Sequence, residues 1–316
     1  MTSLCVAGID VSKARLDIFV LPQRIGLAVA NGAEVIAALS RRLKSLKVER
    51  VVLEASGGLE YPVARALADA GLEVARVQPG RVRGFRAFLG RRAKTDALDA
   101  ELIARFALIM PDEDIRALPT ERAEAIRSLS ARRRQIVDLA AQEKTRLRMA
   151  RDRFIIESLR AMIALLVAER TRVEAALAEA LAADEDTKRK YTLLCSVPGI
   201  GNAVATTLLT DLPELGALNR HQTASLAGLA PHPEQSGTSK ASAHIRGGRA
   251  CVRTALYMAA LSAIRCNPPF KAFYKRLVDS GKPRKLAIVA VARKLAILAN
   301  AILRTNEPWN ANHALD

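Results

Sequence analysis

Apolar and polar positions follow two different periods along this chain, and the changes of period divide it. Residues 4–9 (Leu-Cys-Val-Ala-Gly-Ile) form an unbroken apolar run ending on Asp10, which predicts a buried strand with a carboxylate at its edge. Val11-Ser12-Lys13 begins a turn, Leu16 to Val20 alternates as a hairpin partner would, and Leu27 to Ala30 supplies a third short strand. Glu34 to Leu46 has helical spacing, with Val35, Leu39, Leu43 and Leu46 in its apolar set. Arg50 to Glu54 is again a strand that ends in an acid. Tyr61 to Ala70 is helical and stops at Gly71, and Glu73 to Val77 is a fifth strand. A later helix follows the N-cap candidate Thr95, with Leu98, Leu102, Ile103 and Phe106 in its apolar run. The order predicts an α/β fold, a mixed sheet sandwiched by helices.

The pattern then turns wholly helical. From Thr120 to Val197 there is neither glycine nor proline. Apolar residues recur at heptad steps, first Ile126, Leu129, Ile136, Ala140, Leu147, Ala150 and Phe154, then Leu159, Ile163, Leu166, Val173, Leu177 and Ala180. They predict long helices with a coiled-coil seam, interrupted by Arg133, Glu143 and Arg170 and ended at Asp184-Glu185-Asp186-Thr187. Polar residues at seam positions favour closure between copies of the chain, a homo-oligomer. Beyond Tyr191 the elements shorten. Val197-Pro198-Gly199-Ile200-Gly201 joins two helices in the manner of a helix-hairpin-helix, where Gly199 and Gly201 would let backbone N–H groups approach a phosphate. An ordinary helix connection is the alternative. A helix over Gln222 to Leu229, a polar loop from Ala230 to Lys240, a helix carrying Arg253 and a final basic amphipathic helix from Lys282 to Leu303 complete the chain. We therefore expect three parts: 1–115, 116–190 and an all-α 191–316.

Composition narrows the partners. A formal net charge of +17 points to a polyanion, most simply nucleic acid, bound with strong salt dependence. Aromatic residues make up only 4% of the chain, which argues against a stacking platform for single strands, and the 50% hydrophobic content excludes wholesale disorder. Cys5, Cys195, Cys251 and Cys266 show no C-x-x-C spacing and no secretory signal precedes the first strand, so buried reduced thiols in a cytoplasmic protein are expected. His221, His232, His244 and His313 form no zinc pattern. The apolar stretch Ile155 to Ala168 is too short, and too charged at Glu157 and Arg160, to span a membrane.

Four acids stand out. Asp10 and Glu54 end strands, and Asp96 and Asp99 open a helix at i and i+3. Close carboxylates repel unless protons or cations intervene, and hard oxygen ligands suit Mg²⁺. An isolated D-x-x-D can also be a mere acidic first turn favoured by the helix dipole. Here Arg81, Arg83, Arg86, Arg91, Arg92 and Lys94 precede the pair with no acid between Glu73 and Asp96. Sites in α/β sheets gather where strand ends meet helix starts. Four acids there could hold two Mg²⁺, with Mn²⁺ as a substitute, for in-line phosphoryl displacement. Asp17, Glu60, Asp69 and Glu73 read as solvated. In the polar loop, Ser236-Gly237 can be simply a flexible turn; as a nucleophile, Ser236 has basic neighbours and no local histidine base, so attack on a phosphodiester suits it better than protease chemistry.

Several segments resemble one family. They are Gly-Ile-Asp-Val-Ser-Lys at 8–13, Leu-Glu-Ala-Ser-Gly at 53–57, Lys-Thr-Asp-Ala-Leu-Asp-Ala at 94–100 and Val-Pro-Gly-Ile-Gly at 197–201. Ala-Gly-Leu-Ala-Pro at 227–231, Gln-Ser-Gly at 235–237 and Arg-Gly-Gly-Arg-Ala-Cys-Val-Arg-Thr-Ala-Leu-Tyr-Met at 246–258 complete the set. Together they are similar to the DEDD transposases of the insertion sequence 110 family. The resemblance implies a RuvC-like (ribonuclease H type) domain with Asp10, Glu54, Asp96 and Asp99 as a metal-binding tetrad, and a transposase domain whose Ser236 attacks DNA. It also implies guidance by a structured bridge RNA pairing with donor and target DNA. Assemblies of four subunits are implied too, one protomer's acids being completed by another's serine. Lys240, Arg246, Arg249 and Arg253 are then candidate phosphate contacts. Rival readings are a RuvC-like structure-specific endonuclease, such as a Holliday-junction resolvase, that uses water as nucleophile, and a non-enzymatic nucleic-acid binder with structural acids.

Overall fold

The computed structural model describes residues 4–90, 96–115, 118–232, 235–236, 239–240 and 244–310, with backbone alone at Asp96, Ala97, Glu113, His232, Gln235, Ser236, Ser239 and Lys240. Arg91, Arg92, Lys94 and the cap candidate Thr95 lie outside the described residues. The chain forms two compact units, Met1–Pro119 and Thr120–Asp316.

The first unit is built on β1 (Val6–Val11), β2 (Arg15–Leu21), β3 (Ile25–Ala30), β4 (Arg50–Glu54) and β5 (Glu73–Val77), in the sheet order β3-β2-β1-β4-β5. The strands β1, β2 and β3 pair antiparallel, while β4 and β5 extend the sheet in parallel. The parallel strands are reached through α1 (Ala33–Ser45) and α2 (Tyr61–Asp69). Both cover one face, where Ala7, Ile9, Val11, Leu16, Ile18, Val51 and Leu53 meet Ile36, Leu39, Leu43, Val63 and Leu67. The other face carries α3 (Pro79–Phe88) and α4 (Asp96–Ile109), and there Val6, Val52, Ala75 and Val77 pack on Val82, Leu102, Ile103 and Phe106. The mixed sheet between helix layers is thus as expected, but α3 is an addition. Its basic sequence hides it, and the signal is Pro79 in the first helical turn after the extended Gln78.

The second unit is all helical apart from two short ribbons. Its long helices are α5 (Glu121–Met149) and α6 (Arg153–Ala182), and they lie antiparallel: Arg122 donates to the Ala180 carbonyl and Arg133 pairs with Glu174. The break between them has no glycine or proline; Asp152 makes it by capping α6 through the Ile155 amide at 3.0 Å. Only the root of the pair is buried, at Ile126, Ser130 and Ile136 on α5 and at Val173, Leu177 and Leu181 on α6. After α7 (Glu185–Cys195), α8 (Asn202–Asp211) and α9 (Arg220–Leu226) come two ribbons, β6 (Pro231–His232) with β9 (His244–Ile245) and β7 (Gln235–Ser236) with β8 (Ser239–Lys240). The last helices are α10 (Ala250–Cys266), α11 (Pro268–Asp279) and α12 (Arg284–Thr305). Among the described residues α12 alone is long and apolar enough to cross a membrane. It is a core helix instead, with Val291, Leu295, Ala299 and Ile302 inside the bundle.

Three expectations need correction. Glu60 is 2% exposed and Asp17 is 6% exposed, so neither is solvated. Glu73 is exposed as expected, and from there it pairs with the buried Arg50 at 2.7 Å. Among the cysteines, all free, only Cys5 is buried and Cys266 is exposed.

Candidate active site

The register of the sheet assembles the first part of the site. In the parallel β1–β4 pairing Gly8 faces Val52 and Ile9 faces Leu53, so the next step aligns Asp10 with Glu54. Paired residues of neighbouring strands point to the same face. Alternation sets that face: Ile9 and Leu53 pack toward α1 and α2, whereas Val6 and Val52 pack toward α4. Asp10 and Glu54 therefore belong to the α4 side, and both are half-buried. The antiparallel register adds a third acid, because Asp17 on β2 sits directly opposite Asp10. Its carboxylate is held by Arg15, whose Nε and Nη2 donate at 2.8 Å.

The helix α4 packs across the same face of the sheet. A methyl group at Gly8 would lie 2.2 Å from the Ala104 amide nitrogen and 2.4 Å from the Ala100 carbonyl, so only glycine lets the helix come this close. Lower on the sheet Arg50, the partner of Val6, donates to the Met110 carbonyl at 3.1 Å. The helix thus runs antiparallel to β1. From Gly8 to Asp10 the strand advances about 6.6 Å, which is about four residues of helix. That step leads from the Ala100–Ala104 turn to the first turn of α4, where Asp96 and Asp99 stand. Asp99 is 8% exposed and ion-paired with Arg86 of α3.

The side chains at these positions are carboxylates, whose oxygens suit a hard divalent cation. Among the described side chains no three acids, histidines or cysteines gather as a metal-holding group. The Asp96 side chain lies outside that set. Neighbouring carboxylates on adjacent strands, as the register places Asp10 and Glu54, favour a cation, whereas Asp17 already has Arg15 as its counter-charge. Asp17 was missed because its role depends on hairpin register. The turn length between Val11 and Arg15 is the signal that could have exposed it, since the pairing it sets also sets Asp10 opposite Asp17.

Glu60 is the second missed residue. Its Oε2 accepts from the Ser56 amide at 3.0 Å, the Ser56 hydroxyl at 3.2 Å and the Gly58 amide at 2.9 Å. Burial pushes its pKa up, but its own amide and the Ser56 and Gly58 donors outweigh that and hold it below the ordinary glutamate value.

The basic residues divide. On α3, Arg83 is exposed, Arg81 pairs with Asp114 at 2.6 Å and Arg86 is the partner of Asp99. In the second unit Arg249 grips Glu214 with two bonds of 2.6 Å and reaches the Asp211 carbonyl, and Arg253 donates to the Gly247 carbonyl at 2.8 Å. Arg249 thus ties the start of α10 to the end of α8, Arg253 holds the backbone just after β9, and Arg246 is exposed between β9 and α10 in sequence. Gly199 has φ +111°, and a methyl group there would strike Ala263 at 2.6 Å, so helix packing alone requires a glycine. Gly201 caps α8 and is open to solvent.

Comparison with known proteins shows the family. A model for DEDD transposases of the IS110 kind matches residues 7–155, and one described as the transposase IS116/IS110/IS902 family matches residues 191–275. The pilin gene-inverting proteins of Moraxella bovis and Moraxella lacunata are each 27% identical over 274 residues, 82% of this chain and 81% of theirs. An uncharacterized 43.6 kDa protein of insertion element IS110 from Streptomyces coelicolor is 33% identical over 119 residues, 35% of this chain and 28% of that one. A Thermus thermophilus RuvC structure superposes with a TM-score of 0.24 at 20% identity, over 32% of this chain and 90% of that one; the fold described above rests on the sheet topology and not on that overlay. With Asp10, Glu54, Asp96 and Asp99 inside one family match and α8 to α10 with the two ribbons inside the other, the chain belongs to the IS110 family of DNA transposases.

Proposed function

We propose that this transposase recombines DNA through a covalent phosphoserine intermediate, with Asp10, Glu54, Asp96 and Asp99 holding Mg²⁺ and a structured bridge RNA selecting donor and target. The observation that carries the reading is the continuation of the β1–β4 register to Asp10 and Glu54, beside the helix start that Gly8 admits. When bound, the divalent cation would neutralise the scissile phosphate and favour the alkoxide form of a nearby hydroxyl. The chain's own part is to hold carboxylate oxygens in a fixed group, with Arg86 steadying Asp99. The Ser236 hydroxyl then attacks phosphorus in line. The new Oγ–P bond forms as the P–O3′ bond breaks, leaving a phosphoserine and a free 3′-hydroxyl. Attack of an exchanged 3′-hydroxyl on that phosphoserine restores the serine and seals the recombinant strand.

The same reading takes up the charge and the long helices. A net charge of +17 favours binding of DNA and RNA together in the cytoplasm of a bacterium. The apolar residues left exposed on α5 and α6, Leu139, Met162 and Leu165 among them, supply a coiled-coil contact to a second copy. A tetramer built from such contacts would let one protomer's serine serve another's acids.

Trapping on a denaturing gel tests the mechanism. Wild-type protein, DNA, Mg²⁺ and copurified RNA should give a protein–DNA adduct. The variant Ser236→Ala should give none while binding nucleic acid normally, and Asp10→Asn should behave likewise. An undiminished adduct from Ser236→Ala sinks the serine assignment, and cleavage without any adduct would favour water as the nucleophile. Sequencing the copurified RNA tests guidance: one discrete structured species is expected, and random cellular RNA would count against it.

A further inference from the structure

A buried carboxylate next to an acidic site, but not part of it, needs a reason. Glu60 stands at the start of α2 and is 2% exposed, yet it carries a charge whose burial is costly unless fully compensated. The compensation comes from the turn that directly follows Glu54. Both backbone donors, Ser56 and Gly58, and the Ser56 hydroxyl converge on one of its oxygens. The other oxygen receives Arg76 at 3.4 Å, and that guanidinium lies over the Tyr61 ring, 4.1 Å from its centroid.

The turn needs such a tether. Glu54 is still in register with Val77 on β5, and the Ala55 amide still donates to the Val77 carbonyl at 2.9 Å. After Ala55 the ladder stops. Gly57 and Gly58 then take φ of +75° and +112°, a left-handed course with little conformational preference of its own. Glu60 closes the loop from behind, on the face away from α4, since Arg76 shares the side of Val74 and α2. What it fixes is the backbone leaving Glu54.

We propose that Glu60 is a positioning residue: by clamping the 55–58 turn it holds the Glu54 carboxylate where a divalent cation must find it. This rests on reading Glu54 as a ligand. Ligand oxygens must be held within about 0.5 Å of their working geometry, and groups that orient a ligand change metal affinity by about 10- to 100-fold when removed. A glutamate here satisfies two amides and a hydroxyl at once. Aspartate, one methylene shorter, would not span the same distance from the helix start.

The experiment uses the full chain and Mn²⁺ alone, without DNA. Calorimetry gives the affinity for Mn²⁺, and amide hydrogen exchange on the metal-free protein reports the turn. For Glu60→Ala we expect exchange at Ser56 and Gly58 to rise while β1 stays protected, and Mn²⁺ affinity to fall by about tenfold. For Glu60→Gln, which keeps an oxygen for the amides but turns an NH₂ group toward Arg76, the loss should be smaller, about threefold. A loosened turn with unchanged Mn²⁺ affinity overturns the proposal. Should Glu60→Ala fail to fold, Glu60→Gln decides: affinity equal to wild type overturns it. Glu54→Gln, run in parallel, separates the two claims. If it binds Mn²⁺ as wild type does, the reading of Glu54 falls and Glu60 loses its purpose. If it loses binding while both Glu60 variants keep it, only the role given to Glu60 falls.

Discussion

At the scale of single residues, Gly8 and Glu60 carry more than their size suggests. Replacing Gly8 by alanine adds one methyl group, but the atoms it meets are backbone atoms of α4, which cannot turn aside as a flexible side chain would. The helix must retreat, at a cost of about 1–3 kcal/mol for overpacking. The retreat also shifts the helix that bears Asp96 and Asp99 against β1, so under the proposed mechanism Gly8→Ala should lose DNA cleavage well beyond what its lower stability explains. Urea unfolding and adduct formation on the same preparation check this; full activity in a destabilised variant would refute it. Glu60 gives a pH signature. Its pKa is lowered in the folded chain from an ordinary value of 4.5, so the unfolded state binds the proton more readily. Its contribution to stability is complete above about pH 4.5 and is lost as the pH falls through the folded value. Urea titrations should therefore show a steeper acid loss for wild type than for Glu60→Gln, and superimposable pH profiles would contradict the assignment. Neither residue's role is visible from local pattern. Asp10 and Glu54 could be picked out because each ends an apolar run, whereas Asp17 and Glu60 acquire burial only through register and a loop that folds back.

At the scale of elements, strands and long helices are readable because burial imposes a period, and α3 is not because its period is masked. The α3 segment mixes Gly80 and Gly84 with Arg81, Arg83 and Arg86. Only Val82 among its residues is buried, so no apolar stripe declares it. Charge likewise misleads about role. Arg249 looks like a phosphate contact in sequence, but both its terminal nitrogens are taken, by Glu214 and by the carbonyl that ends α8. Arg83 is exposed on α3 and has no such employment in the fold described. Measuring DNA affinity against salt distinguishes the two. Arg83→Ala should flatten the log–log slope by about one and weaken binding uniformly, as loss of a phosphate contact does. Arg249→Ala should leave the slope alone and lower the melting temperature. An altered slope for Arg249→Ala, with unchanged melting, would return that residue to the nucleic-acid surface.

At the scale of the whole molecule, the question is what covers the long helix pair. In α5 and α6 the root is sealed by Ile126, Leu177 and Leu181, and the pair then continues outward with large apolar residues in water. Met149 is 78% exposed and Phe154 is 75% exposed. Single exposed apolar residues are ordinary, but a continuous run on paired helices costs free energy that a partner surface would recover. The heptad residues at the root are used up between α5 and α6 of one chain, so a second copy would meet the exposed apolar residues farther out, and a chain of charge +17 needs such a contact to offset the repulsion between copies. Replacing Phe154 and Leu165 together by glutamate puts charge into that contact without touching the acids or the ribbon. Sedimentation at fixed protein concentration should shift from oligomer toward monomer in this variant. Binding of DNA per chain should survive, since the phosphate-facing arginines are untouched, while adduct formation should fall if a neighbour's serine completes the site. A monomeric wild type, or an unchanged distribution in the double variant, would show that the helices are covered by something other than a second copy. Loss of assembly with full adduct formation would mean that each chain supplies its own serine.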